Sequence, residues 1–294
     1  MKHIHFIINP IAGSSNNVFT GDSLHTYFEE DQYSLTIKLS DHKKHAIELT
    51  KQSIEEGATI IVACGGDGTV NEVASCMVGT PIRLGIIPTG SGNGLASNLN
   101  IPKTIEKAVA LIKQENITKI DVGTINEHYF FSNTGVGFDA NVIKNYEASN
   151  KRTLYNYIKA SLKSFRELNK QEEIKINMDN KTILVNPFMI FVSNSNELGY
   201  KISLTPKASL QDGLLDAIIV PKISKLKVVL FGALMLFRKH QILKETQISQ
   251  TKSMHLLREK GSVFEAQIDG ELYQIKEESI TISLKEKSLN VITT

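Results

Sequence analysis

The sequence has no tryptophan and few other aromatics, 8 tyrosines and 12 phenylalanines in 294 residues. Stacking single-stranded bases needs such rings, and a net charge of +2 gives no general pull toward a phosphate backbone. No nucleic acid is therefore expected as a partner. Cysteine is almost as scarce. Cys64 and Cys76 make neither a disulfide framework nor a CxxC metal spacing, which favours a reducing, cytoplasmic compartment. Long apolar runs are missing too. The longest, Leu226–Phe237, contains a lysine and falls short of the roughly 20 residues that cross a bilayer as a helix. The opening "MKHIHFIINP" lacks the apolar stretch and small-residue cleavage site of a signal peptide and reads as a first strand. There are no internal repeats, low-complexity tracts or Pro/Ser linkers.

What is present is ordinary globular material, 41% apolar and 22% charged, with length enough for two cores. Up to about residue 120, strand and helix signals alternate. "HIHFII", "SLTIKL" and "ATIIVA" read as strands, the last with no polar face, as in parallel sheets. Helices are expected over 43–56, after Gly68, and over 104–114 with Thr104 as N-cap. That order predicts an open α/β sheet that binds ligands at the carboxyl ends of its strands. Beyond Asp121 short Val/Ile/Phe/Thr runs recur. "SITISL" and "SLNVIT" are read as two of them, and "MDNK", "QDGLL" and "IDGE" as hairpin-like turns. The result is a β-rich sandwich with helical interruptions near 152–168 and 224–240. The change of pattern alone puts a boundary near residues 121–128, and the domains are expected at 1–125 and 126–286, with 287–294 free to return to the first.

Two glycine-rich turns follow strands in the first domain, "CGGDGTVNEV" from Cys64 and "PTGSGNGLA" from Pro88. Glycines let a ligand approach the backbone, and helix N-termini favour phosphate. Asp67 then makes sense if its carboxylate meets a magnesium ion on that phosphate, usually through water. The bland reading is a tight turn with Asp67 as a cap, and Ser91 and Asn93 capping the next helix. "NPIAG", Asn9–Gly13, marks a third strand end. Far downstream, Asp269-Gly270 reads as a hairpin turn followed by Glu271.

Taken in order, "NPIAG", "GGDGTVNEV", "GIIPTGSGNGLA", "DVG" (Asp121–Gly123), "NTGVGFDANV", "VSNS", "LTPKASLQDGLLDAIIV" and "IDGE" resemble the diacylglycerol kinase/sphingosine kinase superfamily, in its bacterial form. The resemblance runs nearly end to end. It implies an ATP-binding, NAD-kinase-like α/β domain followed by a β-rich lipid domain, with the active site in the cleft between them. By matching motif, Asn9, Ser40, Gly65, Gly66, Asp67, Gly68, Thr69, Val70, Asn71 and Ser91 would contact ATP. Asp67 and Asp121 would hold catalytic Mg2+ through water, and Glu271 would be the general base. The "SLQDGLL" turn would hold a structural metal through Asp212 and the carbonyls of Ser209 and Leu214.

Two features depart from the pattern. The lysine common after the NPxxG glycine is replaced by Ser14-Ser15, with Lys201 and Lys207 as candidate substitutes. The turn reads GSGNG rather than GTxND, closer to sphingosine kinases, so a long-chain base competes with diacylglycerol as acceptor. An NAD kinase and a non-catalytic nucleotide or lipid binder are further readings. The segment 222–240, apolar in its middle and basic at both ends, suits either packing on the sandwich or docking on an anionic membrane with Phe231 and Phe237 outward. A homodimer stays open.

Overall fold

The computed structural model describes residues 2–13, 24–149, 153–167, 172–196, 203–258 and 263–294. The chain forms two compact units, Met1–Ile120 with Lys287–Thr294, and Asp121–Glu286. Strand β5 (Ile117–Ile125) passes from one to the other, so the division lies slightly before the position suggested by the change of sequence pattern.

In the first unit β1 (Lys2–Ile8), β2 (Tyr33–Leu39), β3 (Ile60–Gly65) and β4 (Arg83–Pro88) are all parallel, in the order β2-β1-β3-β4. Every residue of β3 is buried, which is why its sequence carries no polar face. Helices α1 (His45–Glu55), α2 (Asp67–Met77), α3 (Gly94–Asn98) and α4 (Ile105–Gln114) supply the connections. Ala108, Val109, Leu111 and Ile112 give α4 its buried stripe. Thr104 occupies the N-cap position, but its side chain makes no cap hydrogen bond. Because the chain leaves β1 toward β2 and returns to β3 on the other side, the topological switch point lies between β1 and β3. Open sheets of this kind bind ligands there, at the carboxyl edge.

The second unit is antiparallel. One sheet runs β12 (Gln247–Thr251), β11 (Leu215–Pro221), β10 (Pro187–Ser193), β7 (Asn133–Gly137), β14 (Phe264–Ile268), β15 (Glu271–Ile275). The other contains β9 (Lys181–Val185), β8 (Ile174–Met178), β13 (Ser253–Leu257) and the start of β16 (Ser279–Ile292), with β6 (His128–Phe130) on β5. Alternating residues such as Ile176, Ile190, Ala217, Met254, Phe264 and Ile280 fill the core between the sheets. β10 and β11 are buried on their other face as well, where Met189, Phe191, Ile218 and Val220 meet Val228 and Phe231 of α7 (Lys225–Leu236). Helices α5 (Phe138–Glu147) and α6 (Leu154–Arg166) pack together through Val142, Tyr146 and Ala160.

Several expectations need correction. "SITISL" and "SLNVIT" belong to one 14-residue strand. Its apolar alternation lapses at Lys285–Lys287, where Lys287 takes a left-handed φ of 46° and the chain changes unit. "QDGLL" is no hairpin but the entry to β11, whereas Asp179-Asn180 and Asp269-Gly270 both turn hairpins with two positive φ angles. Phe231 faces inward at 5% exposure, and of the two phenylalanines only Phe237, at 73%, faces solvent. Helix α5 and strands β12 and β13 were not anticipated. No helix among the described residues is long and apolar enough to cross a membrane.

Candidate functional site

The strand ends of the first unit are tied at their carboxyl edge. Asn9 N–H donates to Cys64 O at 2.9 Å, Thr89 N–H to Gly65 O at 2.9 Å, and Ser40 N–H to Ile8 O at 2.8 Å. Ser40 is buried, its hydroxyl 3.4 Å from the same Ile8 carbonyl. Asn9 spans the switch point. Its Nδ2 donates to Thr69 Oγ1 on α2 at 3.1 Å while Oδ1 accepts from Ile11 N–H at 3.2 Å.

The two glycine-rich turns touch. A Cβ on Gly90 would lie 2.5 Å from the Gly66 Cα, so only glycine permits the approach. Asp67, the first residue of α2, accepts Asn93 N–H at 2.8 Å on one carboxylate oxygen and Gly94 N–H at 2.6 Å on the other. It therefore caps α3 rather than its own helix. Neither Asn93, the N-cap residue of α3, nor Ser91, which is exposed, does that work. Gly68, Thr69, Val70 and Asn71 form the first turns of α2, with Thr69 and Val70 buried. Thr89 Oγ1 and Asn93 Oδ1 are shielded from solvent and have no hydrogen-bond partner among the described residues. Buried polar atoms without partners are uncommon, and here both line the joined turns.

In the second unit Asp121 is fully buried. Its Oδ2 accepts Gly213 N–H at 2.8 Å, its own N–H donates to Leu210 O at 2.7 Å, and its carbonyl accepts from Asn194 Nδ2 at 2.8 Å. The residue assigned to catalytic magnesium thus holds the Ser209–Leu214 loop in place. Within that loop Asp212 Oδ1 accepts Leu214 N–H at 3.1 Å, and Ser209 Oγ accepts Gln211 N–H at 3.2 Å. Burial raises the Asp216 carboxyl above its ordinary range, the Gln250 amide opposes this, and the Asp212 charge adds to it. Lys207 is exposed, while Ser14-Ser15 and Lys201 lie outside the described residues.

Asp269 carries a structural task that the sequence did not reveal. Its carboxylate accepts the N–H groups of Phe131, Ser132 and Asn133 at 2.8, 2.8 and 2.9 Å. Gln267 reinforces the hairpin by donating to Asn133 Oδ1 at 2.7 Å and accepting Gly270 N–H at 3.0 Å. Glu271, partly buried, is therefore the first residue after a firmly held turn, opposite Ile268. Sequence reading also passed over Asp139. Burial pushes its carboxyl up to about 7 against the opposing Gln267 amide and nearby N–H groups. The one carboxylate in the largely apolar "GVGFDANV" was the available signal.

Comparison with known proteins agrees with this architecture. Residues 3–125 match the diacylglycerol kinase catalytic domain, and residues 132–293 match the YegS C-terminal NAD kinase beta sandwich-like domain. A diacylglycerol kinase of Bacillus subtilis is 26% identical over 279 residues, covering 92% of this chain and 90% of that protein. An uncharacterized Synechocystis protein is 31% identical over 227 residues, covering 72% of this chain but only 52% of its own length. A solved diacylglycerol kinase structure from Bacillus anthracis superposes with a TM-score of 0.73 at 20% identity, covering 100% of this chain and 97% of that one. With its catalytic-domain and sandwich halves both matched in order, the chain belongs to the diacylglycerol kinase family of lipid kinases.

Proposed function

We propose that the protein transfers the γ-phosphoryl group of ATP to a hydroxyl of diacylglycerol or a related lipid. The observation that carries the reading is the pair of joined glycine turns beside the switch point, with two shielded oxygens left for a ligand. The N–H groups of α2 ahead of Val70, whose own N–H donates to Gly66 O at 3.0 Å, suit phosphate oxygens. The shielded Thr89 Oγ1 is read as a donor to the same ligand. The Asp67 carboxylate spends one acceptor site per oxygen on Asn93 and Gly94, and a carboxylate has about four such sites. It can therefore still accept from a metal-bound water. Magnesium would neutralise phosphate charge, with Asp67 and Asp121 as its assigned holders.

The reading gives phosphate binding to the first unit and acceptor activation to the second. Glu271 takes the proton from the lipid hydroxyl, whose oxygen attacks the γ-phosphorus as the bond to the ADP oxygen breaks. Access to a bilayer acceptor is assigned to α7. There Leu226, Val229, Leu230, Leu236 and Phe237 are exposed while Val228 and Phe231 anchor the helix to the sheet. Lys222, Lys225, Arg238 and Lys239 flank that face, each worth about 1 kcal/mol at an anionic surface. On α6, Leu154, Tyr155, Ile158 and Leu162 are also exposed.

The test is incubation with labelled ATP, magnesium and mixed micelles of diacylglycerol, a long-chain base, or a native lipid extract, with NAD as a soluble arm. Labelled lipid is expected. Glu271→Gln should lose turnover by roughly 100-fold or more while keeping its melting temperature. Labelled NAD alone, or no product from any acceptor, would sink the assignment.

A further inference from the structure

One set of imidazole and carboxylate groups converges among the described residues outside the sites above. Asp41, His42 and His45 offer ligand atoms that all lie within 4.8 Å of one another. Asp41 and His42 lie in the turn after β2, directly after Ser40, and His45 opens α1. Both histidines turn Nδ1 toward the same oxygen, Asp41 Oδ1, at 2.6 Å for His45 and closer still for His42. The two rings stack with centroids 4.6 Å apart and planes 9° from parallel. His45 Nδ1 also accepts the Asp41 backbone N–H at 3.2 Å, a long hydrogen bond that a metal on the same nitrogen would replace.

A ring lone pair and a carboxylate oxygen 2.6 Å apart repel unless a proton or a cation lies between them. Without an ion, each neutral ring can supply that proton itself, as an Nδ1–H tautomer donating to Asp41 Oδ1. One divalent ion serves all three groups at once. We propose that Asp41, His42 and His45 form a transition-metal site for zinc or a similar borderline-soft ion, separate from the magnesium assigned to Asp67 and Asp121.

The donor set decides the metal class. Imidazole suits zinc, nickel and copper, whereas magnesium prefers oxygen ligands throughout. Three protein ligands leave a fourth tetrahedral position to water. Entry is open, since the side chains of Asp41 and His42 are 75% and 61% exposed. An anion is disfavoured because the carboxylate sits at the point of convergence. Lys43 and Lys44 share the turn and weaken any cation, so micromolar affinity is the expectation rather than that of a buried structural zinc. Lys44 N–H donates to Glu72 Oε1 on α2 at 2.9 Å, so a bound ion would brace the turn against the helix that opens at the phosphate loop.

The experiment is equilibrium dialysis of the full chain against zinc with magnesium in large excess, paired with melting curves. The parent should retain one equivalent of zinc and melt higher with it. His42→Ala and Asp41→Asn, both at exposed positions, should bind roughly tenfold or more weakly, a loss that even outer-shell partners of a metal can cause. They should also lose the zinc-dependent shift. His255→Ala, at an exposed histidine elsewhere, should match the parent. No saturable zinc in the parent, or equal uptake by His42→Ala, overturns the site.

Discussion

Asp67 holds a different backbone N–H on each carboxylate oxygen, so at this residue folding and the proposed magnesium chemistry would share one group. Asp67→Ala should cost about 1–3 kcal/mol in urea unfolding, the size of two charge-assisted bonds lost with partly buried donors. Asp67→Asn, which keeps one acceptor oxygen, should lose less. Equal stability of all three proteins would mean that the cap contributes nothing. Asp139 makes a prediction in pH. Its folded carboxyl titrates at about 7 against an ordinary value of 3.8. The folded state therefore holds a proton that the unfolded chain has already released between those values, and stability falls as pH rises through that window. The loss is complete above about pH 7. Asp139→Asn should be more stable than the parent by about 1–3 kcal/mol at pH 8 and lose that advantage near pH 4, as read from urea midpoints. A difference that does not change with pH would remove Asp139 as its source.

At the scale of elements, α7 divides its apolar residues between two surroundings. Val228 and Phe231 are buried against β10 and β11, whereas Leu236 and Phe237 are 72% and 73% exposed. The double change Leu236→Ser with Phe237→Ser should leave stability within about 0.5 kcal/mol. It should weaken sedimentation with anionic vesicles by roughly tenfold or more, since each buried side chain of this size is worth about 1.5–3 kcal/mol. Unchanged vesicle binding would move the docking face elsewhere. Phe231→Ala should instead cost about 3–5 kcal/mol of stability. The apolar character of this segment was legible in the sequence, but which residues turn inward was not. With nearly every position apolar, no 3.6-residue stripe singles out a buried face, and the sheet beneath chooses it.

Across the whole molecule the chain changes unit twice, after Ile120 and after Glu286, and the last eight residues complete the first core. Leu289, Val291 and Ile292 are buried there, and Asn290 and Val291 extend the parallel sheet beside β4. Deleting residues 287–294 should therefore damage the α/β unit, some 290 positions from where it begins. Loss of about 1.5–3 kcal/mol per buried side chain is enough to unfold a marginal domain. Limited proteolysis should cut the first unit early while the sandwich persists. An intact first unit in the truncated protein would mean that β4 tolerates an open edge.

The sequence by itself determined the two architectures, the order of the motifs and the glycine turns at the strand ends. Strand alternation, helical spacing and glycine turns are local properties, written within a few residues. Only the tertiary structure decided that Asp67 caps the second glycine turn 26 residues away. It alone placed Asp121 on the Gly213 loop, 92 residues on, and the Asp269 carboxylate on the Ser132 N–H, 137 residues back. A carboxylate in a turn announces that it needs donors. Which N–H groups supply them depends on strands that meet only when the sheets have formed.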